Sequence, residues 1–291
     1  MRVAVLTVPS ANQRALCHKL RAVCELAGIV LSDNRSSRPP SRRWRRLANR
    51  IEGRLVGWPF VHAWHQMQCA FRISHPVWPD VPRVRVANVN EDATVRFLEQ
   101  IHPDLILVSG TNLVGSRLIA WAGRRQGIVN LHTGLSPYVK GGPDCTNWCL
   151  AESAFHAIGS TMMWLDAGID SGPILATEQT PLDGAETLTR LHRKVMVHAH
   201  DLCVRTVAFL SEDAHPAGVP QASIGPGRTF YAVEWKAHAM RRALRNFAQD
   251  YSPEWFASSE YRQRTKELRV VRLPTRQSDL QLSQAAGMAQ A

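Results

Sequence analysis

The chain has 291 residues, 45% of them hydrophobic, which is enough apolar material for a substantial core in one large or two modest domains. No apolar run approaches the length of a membrane span, and six scattered cysteines without a C-x-x-C exclude a disulfide framework. The net charge of +11 predicts attraction to polyanions or anionic substrates and says nothing about fold.

The first residues, MRVAVLTVPS, lack the long apolar stretch and cleavage site of a signal peptide. Residues 3–8 read instead as a strand buried on both faces, and a cytoplasmic location is expected. A helix should follow, with Leu16, Leu20, Val23 and Leu26 on one face and Gly28 as its stop, then a second strand over 28–33. Residues 34–80 read as a basic insertion. Its first part, SSRPPSRRWRRLANRIEGRLVGW (36–58), spaces Trp44, Leu47, Ile51 and Leu55 by three and four among arginines, as in a short basic amphipathic helix. Such a helix suits an anionic membrane surface or a nucleic acid, or packs its apolar stripe on its own domain. The rest, through SHPVWPDVP, reads as irregular.

Residues 84–89 make a third strand, EDATVRFLEQIHP a helix closed by Pro103, 104–110 a fourth strand, SRLIAWAGRRQ a helix, and 127–134 a fifth strand. This alternation predicts an α/β fold with a Rossmann-like, doubly wound, mostly parallel sheet. VPSANQ stands where a G-x-G-x-x-G would follow the first strand, so a dinucleotide site of the usual type is not expected. Strands at 159–166 and 174–182 flank a Gly/Asp loop. Asp183 and Glu186 have capping-box spacing at the head of a long helix that buries Leu188, Leu191, Val195, Leu202 and Phe209. Residues 1–212 are expected to form the main domain and 213–275 a small C-terminal subdomain with a basic helix near 235–249. Residues 276–291 have the composition of a disordered tail.

Asn130 and His132 alternate out of the fifth strand onto one face, at the strand end where ligands bind in open α/β sheets. An amide donor beside an imidazole suits a developing oxyanion at a carbonyl carbon. Asp166 and Asp170, in DAGIDSGP, offer the carboxylate such a pair needs, on a loop whose glycines allow close approach to a ligand. Cys145 and Cys149 lie one helical turn apart, but neither they nor His62 and His65 have a second pair of ligands at zinc spacing, so no metal is expected.

Together, N-x-H-x-G-x-S-P (130–137), a Gly-rich segment and D-x-G-x-D-x-G-P (166–173) resemble the folate-dependent formyltransferases. That family includes glycinamide ribonucleotide transformylase, methionyl-tRNA formyltransferase and the sugar N-formyltransferases. The resemblance is good over 84–212 and loose elsewhere. It implies catalytic roles for Asn130, His132 and Asp170. It also implies that 10-formyl-tetrahydrofolate is held by Ser109, Gly110, Thr111, Asn112, Asp166, Gly168 and Ile169, largely through backbone groups, with no metal. Where the family often has Leu-Leu-Pro after its histidine, this chain has Leu135-Ser136-Pro137.

The acceptor is expected to be a primary amine, most simply that of a nucleotide-linked amino sugar, met by Lys140, Gly141, Gly142 and Tyr231. Arginines and Tyr231 or Trp235 would take the diphosphate and the base. Methionyl-tRNA suits the positive charge, but the tRNA enzyme carries a sizeable C-terminal barrel, and comparatively little chain follows the long helix here. An amino-acid or peptide amine remains open. A related hydrolase carries a regulatory domain before its catalytic one, whereas this sheet begins at residue 3, which favours transfer. A non-enzymatic binding protein would not need all three of Asn130, His132 and Asp170. DNA is not an expected partner. Homodimers through the C-terminal segment are typical of similar enzymes, and residues 36–58 are the expected point of any membrane contact.

Overall fold

The computed structural model describes residues 1–35, 46–212 and 215–273. The arginine-rich run before residue 46 and the polar tail from 274 therefore lie outside the described residues. A seven-stranded sheet forms the centre. Its strands are β1 (Arg2–Thr7), β2 (Glu25–Ser32), β3 (Arg83–Val86), β4 (Leu105–Ser109), β5 (Ile128–His132), β7 (Gly159–Trp164) and β8 (Ile174–Gln179). They stand in the order β3-β2-β1-β4-β5-β7-β8. The first five pair in parallel, and β7 runs antiparallel to both of its neighbours, β5 and β8. The doubly wound, mostly parallel sheet expected from the alternating pattern is thus present.

Strand alternation divides the core. Val3, Val5, Leu105, Leu107, Val129 and Leu131 pack on one side with α1 (Ala11–Leu20) and α6 (Leu188–Glu212). Ala4, Leu6, Ile106, Val108 and Ile128 pack on the other, with α3 (Asp92–Ile101) and α4 (Ser116–Ala122). Among the described residues no helix is long and apolar enough to cross a membrane.

Three local expectations need correction. Helix α1 ends at Leu20, so Leu26 belongs to β2 and Gly28 lies inside that strand rather than at a helix stop. A Cβ on Gly28 would meet Ile101 Cδ1 at 2.8 Å and Phe97 at 2.9 Å, so glycine there lets α3 close onto the sheet. The region read as a short helix followed by irregular chain is largely one helix, α2 (Arg46–Ser74), which passes through Pro59. A proline is normally read as a helix stop. Here Phe60, Ala63, Met67 and Phe71, spaced by three and four, are buried, and the packing of α2 on α1 and α6 outweighs the lost hydrogen bond. The capping box is displaced as well. Asp183 Oδ1 accepts from Ala185 N at 2.9 Å, and Thr187 Oγ1 accepts from Arg190 N at 3.3 Å at the true start of α6.

Glu186 keeps the returning half of the box, accepting from Asp183 N at 3.3 Å and Gly184 N at 3.0 Å, and is buried. It accepts from Tyr251 Oη at 2.7 Å and pairs with Lys194. Burial would raise its pKa, but the bonds from Lys194 and Tyr251 outweigh that and hold it below the usual range. The pair ties α6 to the C-terminal part. There α7 (Ala237–Gln249), α8 (Pro253–Ala257) and α9 (Ser259–Glu267) follow β9 (Arg228–Phe230). Strand β9 pairs in parallel with β6 (Val139–Gly141), and α7 packs on α5 (Cys145–Ala151). Trp148, Phe230, Trp235, Phe155, Tyr251 and Phe256 form an aromatic cluster at this junction.

His200 on α6 is fully buried beside Phe71, and neither ring nitrogen has a partner. Burial, with Lys19 and His75 nearby, lowers its pKa to about 3. The unfolded chain takes up a proton near the ordinary value of 6.5 while the folded one does not, so stability is lost as pH falls below that value. Between pH 7 and 4 the loss from this group is about 3 kcal/mol. Urea unfolding of His200→Gln across that range should show a shallower fall than the parent, and an unchanged slope would remove His200 as the cause.

Candidate active site

The sheet order reverses between β1 and β4, and the carboxyl ends of β4 and β5 open there onto a cleft. On β5, Asn130 pairs in register with Met163 and His132 with Thr161 of β7. Alternation therefore places Asn130 and His132 on one face, while Leu131 fills the core. The turn after β5 is tied back to β7. Thr161 Oγ1 donates to Gly134 O at 2.7 Å and accepts from Ser136 N at 2.9 Å.

The second half of the site is the loop between β7 and β8. Asp166 Oδ1 accepts from Gly168 N at 2.9 Å and from Ser171 Oγ at 2.7 Å, which closes a compact turn. Asp170 follows at φ +46°, a left-handed conformation uncommon outside glycine but tolerated by aspartate. Its carboxylate reaches back across the cleft. Oδ1 accepts from Asn130 Nδ2 at 3.1 Å, and Oδ2 accepts from Gly141 N at 3.0 Å and lies 3.4 Å from His132 Nδ1. The loop and the strand end, forty residues apart in Asn130 and Asp170, are thus parts of one constellation.

The far side of His132 is buried. Nε2 lies 3.4 Å from Val139 O and 3.4 Å from Cys145 Sγ. Burial, then the nearby Cys149, Asp144 and Asp170, pushes the Cys145 thiol well above its ordinary pKa. It stays protonated and donates to Gly141 O at 3.5 Å. Both imidazole nitrogens therefore face acceptors, and the one on the cleft side is Nδ1.

A narrow pocket of about 90 Å³ beside the triad is lined by Gly110, Thr111, Asn112, Asn130, Asp166, Gly168 and Asp170, with Val108, Met163 and Leu165 adding apolar wall. Asn34 braces its rim, donating to Gly110 O at 3.0 Å and accepting from Asn112 N at 3.0 Å. This pocket joins a wider cleft of about 520 Å³ lined by His132, Gly141, Gly142, Asp144, Ile169, Asp170 and Tyr231. Ser109 is buried below the pocket, its carbonyl accepting from Thr7 Oγ1 at 2.8 Å, and lines neither space. Lys140 sits half-buried on β6, outside the cleft lining, and Trp235 packs edge-on against Phe60 and Trp148. Among the described residues no group of three or more His, Cys, Asp or Glu side chains is arranged to hold a metal ion.

Sequence reasoning missed Gln221. Its amide Nε2 donates to Asp170 O at 2.8 Å and to Gly172 O at 2.9 Å, clamping the loop that carries the carboxylate. No spacing signal points to it, because it lies fifty-one residues downstream in a stretch without periodicity. Gln221→Ala should lower turnover about tenfold or more by loosening Asp170, whereas Gln221→Glu should do worse by setting a charge against two carbonyls. Full turnover in Gln221→Ala, measured on folded protein, would remove it from the site.

Residues 66–207 match the family model described as formyl transferase. The chain is 31% identical over 137 residues to a methionyl-tRNA formyltransferase of Syntrophus aciditrophicus, covering 47% of this chain and 42% of that protein. It is 25% identical over 197 residues to one of Clostridium botulinum, covering 63% and 59%. The matched part thus spans less than two thirds of the length of these relatives. Among solved structures, phosphoribosylglycinamide formyltransferase from Bacillus halodurans superposes with a TM-score of 0.51 at 22% identity, over 74% of this chain and 97% of that one. The enzyme of that description from Anaplasma phagocytophilum superposes with a TM-score of 0.52 at 15% identity, over 80% and 98%. These two likenesses establish the shared fold.

Proposed function

We propose, from the match of residues 66–207 to the formyl transferase family model, that this chain moves a formyl group from 10-formyl-tetrahydrofolate to a primary amine. The observation that carries the reading is the convergence of Asn130, His132 and Asp170 at the end of β5, at the head of a cleft with two connected parts. The narrow part suits the donor. Residues 110–113 line one side, Val108, Met163 and Leu165 add apolar wall, and Asn130, Asp166 and Asp170 add polar groups. This fits a flat heteroaromatic ring with polar edges. The donor supplies the formyl carbonyl and a nitrogen leaving group.

The remaining chemistry belongs to the chain. An uncharged acceptor amine attacks the formyl carbon and a C–N bond forms, placing negative charge on oxygen. Asn130 uses one N–H of its amide to hold Asp170 and has a second for that oxygen. His132 presents Nδ1 on the cleft side, where its one N–H would be shared between Asp170 Oδ2 at 3.4 Å and that oxygen, while Nε2 is anchored against Val139 O and Cys145 Sγ. Asp170 orients the imidazole, takes the proton from the attacking nitrogen and delivers it to the departing one as the old C–N bond breaks.

A nucleotide-linked amino sugar is the acceptor we favour. Tyr231 is half exposed in the wider cleft, and nearby in sequence Arg228 stacks 4.4 Å above the Phe230 ring, its half-exposed side chain paired with Glu152 at 3.5 Å. A base on Tyr231 and a diphosphate at Arg228 would hold such a substrate. Methionyl-tRNA is the second reading, favoured by the relatives and by the net charge of +11. Incubation with the donor and a panel of dTDP-, UDP- and GDP-linked amino sugars, methionyl-tRNA and no acceptor separates the two. The favoured reading expects the mass of one sugar nucleotide to rise by a formyl group. Formylation of the tRNA alone would replace it with the second.

A further inference from the structure

We propose that Asp144, at the head of α5, is the residue that receives the acceptor's amino group, an assignment that rests on the formyl-transfer reading. It binds the incoming group as an ammonium ion. The bound ammonium gives up one proton to water in the open cleft, and the amine that remains has the lone pair that attack requires.

The lining of the wider cleft is acidic. Among the described residues it carries two carboxylates, Asp144 and Asp170, and no lysine or arginine, in a chain whose net charge is +11. Such a wall favours a cationic group and disfavours an anionic one. Asp170 is already engaged, since its oxygens accept from Asn130 Nδ2 and Gly141 N and face His132.

Asp144 has an oxygen to spare. Its Oδ1 caps α5, accepting from Asn147 N at 3.3 Å. Its Oδ2 accepts no hydrogen bond among the described residues, and His192 Nδ1 stands 3.6 Å from it, beyond hydrogen-bond reach. His192 is buried on α6 with the Trp64 ring edge-on at 6.2 Å, whereas a fifth of the Asp144 side chain, 20%, stays exposed. An ammonium ion, with three donors and no acceptor, is the natural partner of such an oxygen.

The surrounding turn sets Asp144 beside the reacting groups. Cys145, the next residue, lies 3.4 Å from His132 Nε2, so the head of α5 is seated against the imidazole. Trp148 Nε1 donates to Gly142 O at 3.1 Å, and Gly142 N donates to Phe230 O at 3.0 Å. These bonds fix the 142–144 turn next to the segment that carries Tyr231 into the same cleft. The amine end of the acceptor then lies at Asp144, and its phosphates, repelled by both acids, lie toward Arg228.

Asparagine and serine cap helices about as well as aspartate, so Asp144→Asn and Asp144→Ser remove the charge and keep the head of α5. The probes are dTDP-, UDP- and GDP-linked amino sugars, each beside the same sugar nucleotide with a hydroxyl in place of the amine. In the parent, at least one amine should bind about tenfold or more tighter than its hydroxyl counterpart, the margin of one charge-assisted hydrogen bond. Both variants should lose that margin while their melting temperatures and their affinity for 10-formyl-tetrahydrofolate stay at the parent's values. In turnover the loss should appear as a raised acceptor KM with kcat nearly unchanged, whereas a purely structural role for the cap leaves both as they were. No amine preference in the parent, or a preference kept in both variants, overturns the assignment, and donor binding in the same samples leaves the formyl-transfer reading standing. A parent that does not bind the donor removes that reading, and this assignment with it.

Discussion

Asn130→Ala and His132→Ala are each expected to lower formyl transfer by at least a hundredfold, with donor binding close to unchanged. The reason is electrostatic. In the proposed reaction each residue would supply an N–H to oxygen charge that exists only as the formyl carbon becomes tetrahedral, and one such donor is typically worth on the order of 10² to 10³ in turnover. Neither side chain holds the fold together. Asn130 contributes a hydrogen bond to Asp170 at 3.1 Å, worth about 1 kcal/mol net. Removing the His132 ring leaves a cavity beside Cys145, a cost of roughly 2 kcal/mol, which a domain of this size withstands. Single-turnover rates on variants whose circular dichroism matches the parent check this. A variant within threefold of the parent would mean that the donor it lost is not used.

Gly134→Ala is the second large effect, and it arises from space rather than chemistry. A Cβ at this position would lie 2.3 Å from His132 Nε2, 2.6 Å from Val139 O and 2.9 Å from Cys145 Sγ. These are the groups that seat the imidazole, and the carbonyl belongs to β6, so no flexible side-chain end can move to relieve the clash. Overpacking of this kind costs about 1–3 kcal/mol, so the melting temperature should fall by several degrees. Activity should fall further than stability, because the methyl displaces His132 from Asp170. Gly142→Ala is the control for stability, since nothing lies within 4 Å of its Cβ position. Equal melting temperatures for the two variants would show that the turn around Gly134 gives way freely.

The two motifs and the alternating strands were readable because their signals are local. A buried parallel strand shows as an apolar run, and N-x-H places two side chains on one face whatever the tertiary context. The course of α2 was not readable, because Pro59 argues against a helix and only burial of Phe60 against the C-terminal part, and of Ala63, Met67 and Phe71 toward α1 and α6, argues for one. Glu186 shows the same limit. Its spacing from Asp183 fits a cap, and Asp183 N does donate to it, but the spacing does not show that Tyr251 and Lys194 also draw it into a buried pair. Within the site, Gln221 and the thiol of Cys145 touch the constellation through long-range contacts that leave no mark on sequence spacing. The acceptor side is least legible, since it is assembled from β6, the head of α5 and the 230–232 segment, which meet only when β6 pairs with β9.

The central claim is that the Asn130, His132 and Asp170 site transfers a formyl group rather than releasing it. The most direct measurement follows a ¹³C-labelled formyl group from the folate donor by NMR, with the acceptor panel present, in the parent and in Asp170→Asn. The account predicts that in the parent the label moves into a formamide on an acceptor with no accumulation of free formate, and that in Asp170→Asn it stays on the donor. Label appearing as formate in the parent, or moving equally fast in Asp170→Asn, would contradict it.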